Sequence, residues 1–217
     1  MTIRKSALAV AGLSLILLSG CVKNREVLDA GGVGVNSTLS ACPDVAIPQD
    51  TGDVTIFNPP SSRDAAAIDV VANITNVRST CDETGQQIYT SATFDVLARR
   101  NDNRGARTVT LPYFSTVVRG GTSVIAKRVG AVTINFPDGA YRAQGSGTAA
   151  GYVDKSAATL PADIQERITR KRRSGSADAA IDPLAEPDVK AALLRTSFEL
   201  LIGFQLTGEQ LQYNATR

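Results

Sequence analysis

The strongest constraint on this chain is a two-residue rhythm of apolar and polar side chains running from Cys42 to about Tyr152. Ile68, Val70, Ala72 and Ile74 alternate with Asp69, Asn73 and Thr75, and Val71 is the exception. Ile88, Ala92, Phe94, Val96 and Ala98 share one parity, against Tyr89, Ser91, Thr93, Asp95 and Arg99. Val109, Leu111, Tyr113 and Val117 repeat the pattern, and Val132, Ile134 and Phe136 resume it after a break near Gly130. Successive side chains of a strand point to opposite faces, so this rhythm describes strands with one buried and one wet face. Turn-forming clusters separate the runs at Asp82-Glu83-Thr84-Gly85, Asn101-Asp102-Asn103-Arg104-Gly105, Gly120-Gly121 and Pro137-Asp138-Gly139.

No helical period intervenes between these strands. The expected fold is therefore mainly β: a single antiparallel β-sandwich, immunoglobulin-like in outline, with a helical insertion at about 160–195 and a short carboxy-terminal helix. Tryptophan is absent, so the outline alone is implied. Pro161–Arg173 is expected to be helical, with Leu160, Ile164 and Ile168 four apart and proline suited to the first turn. Ser174–Asp188 reads as a loop and Asp188–Arg195 as a second helix. Ser197–Thr207 is the cleanest strand: Phe198, Leu200, Ile202, Phe204 and Leu206 face one way. Thr207 and Gln210 then match a capping box. The 176 residues from Cys42 onward suffice for one sizeable core, domain 42–217, and no repeat of fixed period occurs.

The amino terminus follows different rules. Arg4 and Lys5 precede a twelve-residue apolar run, Ala7–Leu18, too short to span a membrane as a mature helix and flanked as a secretory signal is. Leu18-Ser19-Gly20-Cys21 follows at once. These residues resemble the lipobox of bacterial lipoproteins. The resemblance is confined to this segment; the globular part is not assigned to a family. It implies that residues 1–20 are removed, that Cys21 carries a diacylglyceryl group, and that residues 21–41 form a lipidated tether. Two or three acyl chains, at about 0.8 kcal/mol per buried methylene, hold a protein on a bilayer almost permanently. In that class an aspartate after the cysteine tends to retain the protein at the inner membrane. Val22 stands there instead, which implies sorting to the outer membrane, facing the periplasm.

Loss of residues 1–20 removes Arg4 and Lys5 and no acid, so 23 basic residues become 21 against 21 acidic ones. A formally neutral mature chain argues against global capture of nucleic acid or anionic headgroups. With Cys21 lipidated, Cys42 and Cys81 remain in an oxidising compartment, and a disulfide between them is expected. Histidine is absent, which removes every mechanism that needs an imidazole base or ligand, and no metal or cofactor is expected.

Among surface features, Arg167, Arg170, Lys171, Arg172 and Arg173 form a candidate grip for an anionic partner. A solvated helix end, where cations suit the helix dipole, accounts for the same residues and is the preferred reading. Arg99, Arg100, Arg104 and Arg107 surround a hairpin turn and gain meaning as a site only if both clusters share a face. Asp178, Asp182, Glu186 and Asp188 lack calcium-loop spacing and read as a solvated acidic loop that offsets the basic helix. Gly145–Gly151 has the wrong spacing for a dinucleotide loop and reads as small residues at a sheet edge or in a loop. Lys155 and Ser156 would face opposite ways if extended, so a serine–lysine hydrolase is disfavoured.

These features point to a non-catalytic, lipid-anchored interaction or structural module of the cell envelope, accessory to an envelope protein complex and without affinity for nucleic acid. An envelope ligand-binding lipoprotein with a basic surface and a histidine-independent hydrolase are the alternatives. An adaptor should present an exposed edge, apolar patch or basic face; an enzyme should present a pocket of converging polar groups.

Overall fold

The computed structural model describes residues 40–170, 175 and 182–216. The structure has eight strands, five of which grow from the alternating runs: β1 (Asp44–Ala46), β2 (Asp53–Phe57), β3 (Ile68–Asp82), β4 (Gln87–Arg100), β5 (Arg107–Arg119), β6 (Ser123–Phe136), β7 (Arg142–Asp154) and β8 (Phe198–Phe204). They form two four-stranded layers, ordered β1-β8-β5-β6 and β2-β3-β4-β7. The inward residues of both layers make one core, in which Phe94, Phe136, Ile88, Ile134, Leu200 and Ile202 lose nearly all contact with solvent. The expected β-sandwich is therefore present.

Pairing is antiparallel throughout except between β1 and β8, which run parallel. Parallel pairing needs a long connection, and more than 150 residues separate these two strands, so no hairpin constrains their direction. The alternation within β4 is complete: Ile88, Thr90, Ala92, Phe94, Val96, Ala98 and Arg100 are buried, and the residues between them face outward. β8 is shorter than the expected Ser197–Thr207, because the chain turns away into a capping box. There Thr207 N–H donates to Gln210 Oε1 at 2.9 Å, and Gln210 N–H donates to Thr207 Oγ1 at 3.2 Å.

The segment between β7 and β8 folds as α1 (Lys155–Ala158), α2 (Ala162–Thr169) and α3 (Pro187–Thr196), with a 3₁₀ turn at Pro183–Ala185. Ile164, Val189 and Ala192 form a small second core with Leu160, Ile168 and Leu193. Helix α2 ends at Thr169, short of the expected Arg173; residues 171–173 lie outside the described residues. The carboxy-terminal helix α4 (Gly208–Thr216) is held on β2: Asn214 donates to the carbonyls of Asp50 and Asp53, both at 2.8 Å.

Cys42 and Cys81 form a disulfide, with Cα atoms 6.2 Å apart and a sequence separation of 39. Cys42 precedes β1 and Cys81 lies in β3, so the bond joins the two layers. Closing a loop of this length restricts the unfolded chain and contributes about 3–4 kcal/mol. Cys21, the signal segment, most of the tether and Asp178 lie outside the described residues.

Candidate interaction edge

The hairpin β5–β6 turns through Gly120-Gly121-Thr122 between the paired Arg119 and Ser123, and the two glycines supply its positive φ values of 59° and 74°. β6 is the last strand of its layer, and β7 is the last strand of the other. The two edges meet along one side of the sandwich, and their relation changes along β6.

From Gly130 to Phe136 the seam is shut, and glycines let it close. A side chain at Gly145 would meet Val132 and Ile134 at 2.8 Å, and one at Gly147 would meet the Phe94 ring at 2.3 Å. A Cβ at Gly130 would lie 2.6 Å from the Tyr113 ring, so glycine lets that ring cross the strand. The Tyr113 hydroxyl donates to the carbonyl of Thr148 on β7 at 2.6 Å, and its ring meets Phe94 edge to face with centroids 5.1 Å apart. Of the two readings left open for Gly145–Gly151, a sheet edge or a loop, the structure has the edge strand β7, whose glycines admit neighbouring side chains.

From Ser123 to Val129 the seam is open. Every residue in this stretch is exposed, including Val124 at 62%, Ile125 at 54% and Val129 at 62%. The register skips Ile125: Val117 pairs with Ala126 and Val118 with Val124. Such a bulge bends an edge and aims side chains outward. Arg128 pairs with the buried Ser115, on the parity that carries Val132, Ile134 and Phe136 inward elsewhere. Its side chain forms no hydrogen bond or ion pair with any described residue. Lys127, on the opposite face, sits over the Phe114 ring at 5.3 Å. A groove of about 510 Å³ follows the opening, lined among others by Tyr89, Ser91, Ser115, Arg128, Val129 and Ala149. Its lining offers hydroxyls and one guanidinium but no carboxylate, thiol or amine. Among the described residues of this lining none is a general base suited to neutral pH.

The arginines singled out by sequence are placed elsewhere and are mostly committed. Arg100 is only 2% exposed, contrary to a place at a charged hairpin tip. It donates to the carbonyls of Ala140, Asn103 and Pro137 at 2.8–2.9 Å and stacks over Phe136, tying the β6–β7 turn to the sheet. Arg107 grips Asp69 through two hydrogen bonds of 2.7 and 2.6 Å, which raises the guanidinium pKa further. Arg104 pairs with Asp102 at 2.8 Å; that hydrogen bond chiefly holds the carboxyl far below the usual carboxylate range. Arg99 is exposed and sits across from Arg142.

Arg167 on α2 contacts both Asp188, at 2.5 Å, and Glu186. The Asp188 pKa is lowered, first by this hydrogen bond. The acidic loop therefore does offset the basic helix, and Arg167 is not a free cation. Arg170 lies 3.8 Å from Glu166, while Lys171, Arg172 and Arg173 are outside the described residues. Of the second cluster only Arg167 and Arg170 are described, on and just after α2, a helix that follows β7, whose last residue pairs with Gln87 at the amino-terminal end of β4. Arg99–Arg107 surround the other end of that strand, about 40 Å away, so Arg167 and Arg170 do not adjoin them.

Lys155 and Ser156 fall in the single turn α1, not in an extended strand, which corrects the ground for setting them aside. Lys155 Nζ donates to the Glu83 carbonyl at 2.7 Å, and this contact holds it at the β3–β4 turn. Glu83 also lies beside the disulfide, but both sulfurs are consumed in the S–S bond and neither is a thiolate ligand. Among the described residues no helix is long and apolar enough to cross a membrane.

Comparison with known protein families, curated proteins and solved structures returns no match. The open edge is not among the residues singled out from the sequence, although it carried a signal there: Val124, Ile125 and Val129 interrupt the alternation before Gly130.

Proposed function

We propose that this chain is a non-catalytic interaction module of the bacterial cell envelope, anchored at the outer membrane through acylated Cys21 and facing the periplasm. The open half of β6 is its docking surface. The observation that carries this reading is an edge strand with unpaired backbone and three exposed apolar side chains, Val124, Ile125 and Val129. Unpaired edges are ready templates for another strand, and proteins ordinarily blunt them. The lipid confines the module to a surface, which raises its effective concentration and makes a weak edge contact sufficient. A ligand-binding role for the arginine clusters has less support, because Arg100, Arg104, Arg107 and Arg167 already satisfy partners within the chain.

The test is in-cell photocrosslinking from Val124 and Val129, with Thr133 and Asn135 in the closed half as controls. A discrete envelope-protein adduct from the first pair, weakened by Cys21→Ala, is the expected result. Crosslinks confined to other faces of the domain would overturn the edge as the docking surface.

A further inference from the structure

We infer that the open half of β6 accepts an extended, carboxylate-bearing strand of a partner protein, which adds to the sheet beside Ser123–Val129. This rests on the interaction-module reading and names the chemistry of its partner.

The charge of the edge carries the argument. From Arg119 to Ala131 the hairpin holds Arg119, Lys127 and Arg128 and no acidic residue. Lys127 and Arg128 are neighbours on β6, so they point to opposite faces: Lys127 outward across from Thr116, Arg128 into the groove across from Ser115. An incoming strand alternates in the same way. Two consecutive carboxylates on it would therefore meet both cations, one on each face, while flanking apolar residues cover Val124 and Val129.

The same charges disfavour a second copy. Antiparallel self-pairing about the Lys127–Arg128 step sets Lys127 of one copy directly opposite Arg128 of the other, twice over. Like charges directly opposite one another on a ladder are destabilising. Lysine on an edge commonly serves only as a guard against aggregation. A guard alone does not account for three large apolar side chains left more than half exposed beside it.

The experiment uses two labelled ten-residue peptides, each of alternating valine and threonine with a central Glu-Glu in one and Lys-Lys in the other. Binding is read by fluorescence anisotropy, and its place by backbone hydrogen exchange of the mature domain. The Glu peptide should bind at least about tenfold tighter than the Lys peptide, protect amides within 123–129, and weaken with added salt. The double variant K127E/R128E should reverse the preference with an unchanged thermal midpoint. If that variant fails to fold, the two peptides on the wild-type protein still decide. Equal affinity for both peptides, protection elsewhere, or no binding of the Glu peptide near about 1 mM overturns the inference. A concentration-dependent dimer joined β6 to β6 also overturns it and makes a second copy the occupant. Absent peptide preference with crosslinking retained from Val129 removes the acidic strand alone; crosslinking only from other faces removes the edge reading beneath it.

Discussion

The two halves of β6 share one strand, one partner in β5 and one inward parity, yet they end in opposite environments. In the carboxy-terminal half, Val132, Ile134 and Phe136 are almost fully buried, and the edge is covered by β7 through the space left by Gly145 and Gly147. In the amino-terminal half the same parity brings Ala126 and Arg128, both exposed. The boundary is Tyr113, whose ring crosses Gly130 and whose hydroxyl reaches β7. The difference teaches that an edge strand can be structural along one stretch and available along the next. What decides is whether the facing strand stays within reach.

The sharpest way to break this contrast is to exchange the arginines at its two ends for methionine. Arg100→Met strands three carbonyls around the closed end and should cost about 2–3 kcal/mol in urea denaturation. Arg128→Met, in the open half, should change stability by no more than about 0.5 kcal/mol. Equal losses would mean that Arg128 has a structural role. Next in size, Gly147→Val forces two methyl groups toward Phe94 and should cost about 1–3 kcal/mol, visible as a lowered thermal midpoint. An unmoved midpoint would show that the seam does not depend on that close approach.

Tyr113→Phe probes the boundary itself. It removes the hydrogen bond to Thr148 and should cost about 1 kcal/mol while raising amide exchange in β7 near Ala149. Val129→Thr should leave stability within about 0.5 kcal/mol but weaken partner crosslinking, which separates interaction from folding. The smallest effect is a control outside β6. Asp188 has a lowered folded pKa, so its contribution is complete above the ordinary carboxylate pKa of about 4 and is lost as pH falls through the lower folded value. Being exposed, the pair with Arg167 matters little to global stability. Backbone ¹⁵N shifts in α2 and α3 should move on acidification with the β6 amides unmoved; parallel movement of both would refute independence.

Much of this was legible residue by residue. The parity of Phe94, Val96 and Ala98 gave β4 its buried face, and the reciprocal bonds of Thr207 and Gln210 follow from residue type and spacing alone. The Cys42–Cys81 disulfide was expected from the cysteine count together with the export signal that the amino terminus resembles. Arg100 was misplaced at the hairpin turn: position 100 continues the even-numbered buried face of β4, but its charge led the reading to the surface. The parallel β1–β8 pair was not legible, because three residues carry too short a pattern to specify direction.

The sequence by itself determined the inward face of β3, β4, β5, β8 and the second half of β6, because side-chain alternation is a property of the extended backbone. Only the tertiary structure decided what inward means at each position. Arg100 and Arg128 both fall on core-facing parity. One meets three carbonyls at a closed corner, and the other looks into a groove because β6 and β7 have parted. That parting depends on how two layers pack, on Tyr113 crossing Gly130 and on the bulge at Ile125, contacts between residues distant in the chain that no local pattern encodes.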